Sequence, residues 1–401
     1  MSEVPQEAWL TIVGIGEDGW AGLSEVARAA LAEAEVVTGA ARHLGLVPGL
    51  SAECRTWPVP FESGLGGLVA LRGRRVVLLA SGDPFWFGAG SVVTRGLDAS
   101  EWIAHPGPST FTLAASRLGW PIEATSCLGL HAAPLARLRP CLAPGQRAIV
   151  LLRDGAAVAG LAGYLVEQGF GASCLSVLEA LGGPRERIHH VRAEACALAG
   201  ISHPVAVGID CAGAGKVMAR ASGRDDAWFA HDGQISKRPI RALALSALAP
   251  RPGELLWDIG TGSGSIAIEW LLAHGDMRAI GFEADPERAA RAMANAAALG
   301  ADHLCIVEGA ALEMLDGQAC PDAVFVGGGL DEALLRRLRC LPEGTRIVAH
   351  AVTLETEALL AAAHAEIGGS LLRIELSQAA PLGSRRGWKA HYPLVQWSAT
   401  L

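Results

Sequence analysis

A chain of 401 residues exceeds the usual size of one domain and is expected to hold two, each able to bury its own core. Its 33 Lys+Arg against 41 Asp+Glu give a formal charge of −8, so no general field favours nucleic acid or an anionic membrane, and an anionic substrate needs a local basic patch. Apolar residues make up 51% of the chain, but Gly, Pro or charge breaks them every few residues, and no run is long enough to span a bilayer. The acidic start MSEVPQEAW has no basic segment followed by an apolar one, so a cytoplasmic location is expected. Nine cysteines lie singly between Cys54 and Cys340 with no C-x-x-C pair, which predicts neither a metal site nor a disulfide framework.

Taken in chain order, LTIVGIG, RRVVLLASGD, EWIAHPG, RAIVLLRDG and PVAVGID read as strands alternating with Ala/Leu-rich helical segments, the pattern of an α/β fold. Three Gly-containing turns end strands of this half: GIGEDGW from Gly14, SGDPFWFG from Ser81 and HPGPST from His105. The carboxyl ends of strands on one edge of an open sheet are where such folds bind ligands, so the three turns predict one shared site. Between Cys211 and Trp228 the chain is small, Gly-containing and charged, without apolar periodicity. It reads as a linker, placing domains at 1–212 and 227–401 with a connection over 213–226.

The second half offers ELLWDIG, RAIGFEA, HLCIVEG, DAVFVGG, TRIVAHAV, LLRIELS and HYPLVQW as strands. The first five are each followed by a helical segment; the last two are separated by the turn-rich QAAPLGSRRGW and predict an antiparallel hairpin that the plain dinucleotide-binding order lacks. Within WDIGTGSGSIAIEW, Gly260, Gly262 and Gly264 permit a sharp turn lying against a ligand, and the helix beginning near Ser265 turns its positive end to it. The glycines alone fit either NAD or S-adenosylmethionine. Asp258 favours the second, because a carboxylate there accepts from an α-ammonium and repels a pyrophosphate. Glu283, at the end of the next strand, suits ribose hydroxyls in either case.

D-I-G-T-G-S-G, F-E-A-D-P-E-R and the terminal hairpin resemble class I S-adenosylmethionine-dependent methyltransferases. HDGQISKRPIRA and AVTLETE narrow the resemblance, over residues 229–401, to those that act on C15 of cobalamin precursors and decarboxylate an acetate side chain. It implies cofactor contacts at Ser236 beside Lys237, at Asp258, at Gly260, Thr261, Gly262, Ser263 and Gly264, at Glu283, and at Ala310 with Ala311. The chain departs from the pattern at Ala310, where a polar residue is expected, and at His350, where asparagine is. The first-half turns, with LLRDG and LEALGGPRERI, resemble the tetrapyrrole methylases over about Leu10 to Asp210. That implies contacts at Gly14, Gly16, Glu17, Ser81, Gly82, Asp83, Ser109 and Thr110; Glu17 stands where many relatives have proline, as in the C5-methylating branch.

Both halves in one chain resemble the fused precorrin C5,15-methyltransferases (decarboxylating). The resemblance implies a two-lobed tetrapyrrole-methylase fold followed by a seven-stranded, Rossmann-like class I fold, with one S-adenosylmethionine site per domain. It also implies a reduced precorrin substrate, precorrin-6B, methylated at C5 by the first domain and at C15 by the second, which decarboxylates the ring C acetate. Relatives of the second domain imply a homo-oligomer, a tetramer among the options. The substrate's carboxylates call for cations, and SKRPIR (Lys237, Arg238, Arg241) and SRRGWK (Arg385, Arg386, Lys389) supply them. His350, at a strand end, is the candidate proton-transfer group. The competing readings are a dehydrogenase-like NAD domain fused to another α/β module, and methylation of RNA, against which the −8 charge weighs.

Overall fold

The computed structural model describes residues 8–401; the acidic segment MSEVPQE lies outside the described residues. The chain forms two compact units, one holding the chain up to Ala133 with Cys141–Lys216, the other Pro134–Pro140 with Val217–Leu401. The division falls inside the segment read as a linker, but that segment is not a free tether. Met218 joins the second unit's core, and the backbone N–H groups of Gly223 and Arg224 donate to the buried carboxylate of Glu269. Its small and charged composition conceals these anchors, because single buried residues leave no periodicity.

The first unit contains two five-stranded sheets. One comprises β1 (Leu10–Ile15), β2 (Val36–Gly39), β3 (Glu53–Thr56), β4 (Val76–Ser81) and β5 (Trp102–His105), all parallel, in the order β3-β2-β4-β1-β5. β1 and β4 are buried along almost their whole length, as near-continuous Val/Ile/Leu runs must be when helices cover both faces of a parallel sheet. The other sheet comprises β6 (Ser126–Gly129), β7 (Arg147–Leu152), β8 (Cys174–Glu179), β9 (Arg187–Arg192) and β10 (Val205–Asp210) in the order β6-β7-β10-β8-β9, parallel only between β6 and β7.

The second unit is built on a seven-stranded sheet of β11 (Leu255–Ile259), β12 (Arg278–Glu283), β13 (Cys305–Glu308), β14 (Ala323–Val326), β15 (Arg346–Ala351), β16 (Ser370–Ile374) and β19 (Leu394–Thr400). Its order is β13-β12-β11-β14-β15-β19-β16, with β19 antiparallel to both neighbours. All seven expected strands form, and the last two pair as an antiparallel hairpin. The intervening segment, read as turn-rich, is itself a two-stranded ribbon of β17 (Ser377–Leu382) and β18 (Arg385–Ala390). Helices cover both faces, and Trp257, Trp270 and Trp397 are fully buried. Among the described residues, no helix is long and apolar enough to cross a membrane.

Candidate functional site

In the second unit, strand order places the ends of β12, β11 and β14 side by side, and their following loops enclose a cavity of about 730 Å³. Ser236, Asp258, Gly260, Thr261, Gly262, Ser263, Glu283, Ala310 and Ala311 all line it, as does His350; Gly264 lies just behind, as the N-cap of the helix Ser265–Leu271. Gly260, Gly262 and Gly264 all adopt the left-handed backbone that favours glycine, with φ of 69°, 57° and 77°.

Asp258 is almost fully buried, and one carboxylate oxygen accepts from the Thr261 hydroxyl at 2.7 Å and the Ala267 N–H at 3.1 Å. Burial raises its pKa to about 6, against the lowering effect of those two hydrogen bonds, and Glu283 adds repulsion. Glu283 accepts from the N–H groups of Gly262 at 2.8 Å and Asp285 at 3.0 Å, tying the glycine loop to the end of β12. The buried Ser263 hydroxyl has no hydrogen-bond partner among the described residues. A buried carboxylate without a cation, an orphaned hydroxyl and a left-handed loop together fit a ligand bearing an ammonium group.

His350 is opposite Gln396 in the β15/β19 register, its Nε2 at 3.0 Å from Gln396 Oε1 and its ring edge-on to Phe325. With that oxygen as acceptor, Nε2 carries the hydrogen and Nδ1 keeps its lone pair. Burial lowers its pKa to about 4, so the imidazole is neutral near pH 7 and has no imidazolium proton to supply, while the same burial weakens it as a base.

Two groups escaped sequence reasoning. The Asn295 amide, buried in the helix Pro286–Leu299, bonds Ala230 N–H and C=O at 2.9 Å each and the Ser263 carbonyl at 2.8 Å, pinning the strap before the site to the glycine loop. Gly327, Gly328 and Gly329, in the loop after β14, line the far side. Their run in VFVGGGL was the available signal; Asn295, alone in an Ala-rich helix, gave none.

The cations divide. Arg241 is fully buried and cannot serve as a substrate contact: it donates to Glu269 at 2.6 Å, to Asp226 at 3.1 Å and to the carbonyls of Ser236 and Arg224. The helix Arg238–Leu248 turns that side chain inward, because its position falls on the apolar stripe with Ile240, Ala244, Leu245 and Leu248. Lys237 is half-buried as that helix's N-cap and Arg238 is exposed; Arg385, Arg386 and Lys389 are exposed on β18, and none of these five lines the cavity.

In the first unit, the turns after β1, β4 and β5 converge as expected. The Gly82 N–H donates to the Ile15 carbonyl and the Gly107 N–H to the Gly82 carbonyl. A Cβ on Gly14 would sit 1.9 Å from the Gly82 oxygen, so this glycine lets the turns pack on one another and does not line the cavity they border. That cavity, about 340 Å³, has Gly16, Glu17, Ser81, Gly82, Asp83, Ser109 and Thr110 at its edge and a floor including Leu151, Leu178, Leu181, Val205 and Ala206.

Ser109 caps the helix Thr110–Leu118, accepting from Thr112 N–H at 3.0 Å, and Asp83 accepts from Phe85 N–H at 2.9 Å. Glu17 is not a free ligand group. Its buried carboxylate pairs with Arg42 and with Arg185 at 2.7 Å, and Arg42 also reaches Ser81 at 2.8 Å. Ser81 is 2.8 Å from His43 Nε2, whose pKa burial and Arg42 lower to about 4. Arg42 and Arg153 also line the cavity; Arg42 stands outside any motif, and Arg153 lies within LLRDG without being named as a contact.

Residues 9–197 match the family described as tetrapyrrole (corrin/porphyrin) methylases, and residues 227–401 match a precorrin methyltransferase domain. Over 398 residues the chain is 48% identical to a precorrin-6Y C(5,15)-methyltransferase (decarboxylating) of Sinorhizobium sp, covering 98% of this chain and 96% of that one. It is 40% identical to the protein of the same name from Mycobacterium tuberculosis (strain CDC 1551 / Oshkosh), with 98% and 99% covered. A solved C-terminal domain of precorrin-6Y C5,15-methyltransferase from Rhodobacter capsulatus is 51% identical, covering 46% of this chain and 100% of that one at a TM-score of 0.45. On these full-length identities, the chain belongs to the precorrin-6Y C5,15-methyltransferase (decarboxylating) family.

Proposed function

We propose that this protein methylates precorrin-6Y at C5 and C15 and decarboxylates it, the first unit serving C5 and the second serving C15 and the decarboxylation, within domains 1–212 and 227–401. The observation that carries the reading is that each unit has its own cavity at the carboxyl edge of its own parallel strands, and that the family members named above act at two carbons. S-adenosylmethionine supplies the methyl group on a sulfonium, and one molecule is taken by each unit. In the second unit Asp258 holds the ammonium, Glu283 the ribose and Ala310 with Ala311 the adenine side. In the first, Gly16, Ser81, Gly82, Asp83, Ser109 and Thr110 form the rim and the leucine-rich floor takes the base.

The nucleophile is an electron-rich carbon of a reduced macrocycle, so the protein's main task is alignment, worth several kcal/mol, and no covalent protein nucleophile is needed. Neutral His350 offers Nδ1 to a proton leaving the substrate. Lys237, Arg238, Arg385, Arg386 and Lys389 meet the carboxylates of the tetrapyrrole. The protein works in the cytoplasm and self-associates through the second unit, where Leu382, Trp388 and Tyr392 are 69%, 80% and 91% exposed. Equilibrium dialysis of the full chain with labelled S-adenosylmethionine tests the central element: two molecules bound per chain are expected. Saturation at one, or binding of NADH in its place, would refute the reading.

A further inference from the structure

A third cavity, about 490 Å³, lies in the second unit and shares no lining residue with the glycine-loop cavity. Its wall includes Arg220 and Ser222 from the segment entering the unit, Arg224, Ser246 on the helix Arg238–Leu248, Arg251 just beyond it, and Glu269. The guanidinium groups of Arg220 and Arg251 have no ion-pair partner among the described residues, unlike those of Arg339, paired with Glu366 at 2.6 Å, and Arg373, paired with Glu375 at 3.0 Å.

Arg224 is the unusual member. It is only 5% exposed, its Nε has no hydrogen-bond partner among the described residues, and its guanidinium comes no closer to Glu269 than 3.5 Å. That carboxylate is already committed to Arg241 at 2.6 Å and to two backbone N–H groups at 2.7 and 2.9 Å. Arg241 has Asp226 at 3.1 Å as a second partner, whereas the Arg224 guanidinium has, among the described residues, only its looser contact to the shared Glu269. Burial pulls the Arg224 pKa below its ordinary value, with repulsion from Arg241 adding to it against the attraction of Glu269. A buried cation so poorly compensated is costly unless another anion approaches it.

We propose that this cavity is a binding site for a small polyanion bearing two or more carboxylate or phosphate groups. Arg224, which lines the cavity, anchors one oxyanion through its guanidinium, whose planar fork suits carboxylate and phosphate alike. Arg220 and Arg251 hold the outer charge, and the Ser222 and Ser246 hydroxyls supply further donors. The cavity exceeds what one phosphate fills, which is why the ligand needs more than one anionic group.

Isothermal titration of the full chain at constant ionic strength, with pyrophosphate in one arm and tricarballylate in the other, tests the site and separates phosphate from carboxylate ligands. The double variant R220A/R251A changes exposed side chains and leaves the Arg224–Glu269–Arg241 core intact. R339A/R373A removes the same charge from paired surface positions. The expected result is saturable binding of one equivalent of either anion to the parent chain and to R339A/R373A, weakened at least about tenfold in R220A/R251A. No saturable binding in either arm, or equal binding by all three proteins, overturns the proposal.

Discussion

Asp258 is a buried carboxyl whose proposed ligand role has a cost in stability. Its folded pKa of about 6 lies above the ordinary 3.8, so the folded protein holds a proton that the unfolded chain releases. The stability this confers is complete below pH 3.8 and is lost as pH rises through about 6. Ionised Asp258 is thus a burden in the free protein and an asset once an ammonium is bound. D258N, without ligand, is expected to be more stable than the parent at pH 7.5, by no more than about 3 kcal/mol, while binding S-adenosylmethionine more weakly in the second unit. Parent affinity there should fall as pH drops from 7.5 to 5.5, and D258N affinity should not; parallel titration curves for the two proteins would count against this role. His350 behaves oppositely, since its folded pKa near 4 makes it neutral across the working range. H350A should slow C15 methylation or decarboxylation and spare cofactor binding, and kcat at saturating cofactor should show no ionisation between pH 6 and 8 from this residue. Unchanged turnover of both steps in H350A would remove it from the mechanism.

At the scale of elements, loops after parallel strands carry the site, and buried polar anchors fix their positions. N295A should leave the backbone groups of Ala230 and the Ser263 carbonyl without their partner, costing about 1–3 kcal/mol by urea denaturation and raising KM for S-adenosylmethionine more than it lowers kcat. R241A takes from the fully buried Glu269 carboxylate its 2.6 Å partner, leaving Arg224 at 3.5 Å and two backbone N–H groups, and should cost about 3–5 kcal/mol, whereas R385A, on exposed β18, should leave the denaturation midpoint in place. A small effect of R241A would mean that water or a neighbour compensates Glu269. These cases also mark what can be read from sequence. The glycine loop, Asp258 and Glu283 were legible because a strand, a turn and a helix start fix their spacing. The convergence of GIGEDGW, SGDPFWFG and HPGPST was legible because each ends a β-branched run. Pairing of Arg241 with Glu269, of Glu17 with Arg185 and of Asn295 with Ala230 joins residues 28 to 168 positions apart, which no local pattern encodes. β17 and β18 escaped notice because Pro381, Gly383 and Gly387 disguise an exposed ribbon as loop.

At the scale of the whole molecule, the two units have separate cores and separate cavities, built on different sheet topologies. One methylation is proposed for each. Light scattering of the full chain should give a mass above one protomer, and L382S/W388S should lower it; a monomer in both would refute association through the ribbon. The central claim meets its most direct test when residues 1–216 and 217–401 are produced separately and each is incubated with precorrin-6Y and labelled S-adenosylmethionine, with products read by mass spectrometry. One methyl group is expected from each fragment, at C5 from the first and at C15 from the second, with carbon dioxide lost only in the presence of residues 217–401. Installation of both methyl groups by either fragment alone, or carbon dioxide release by residues 1–216, would contradict it.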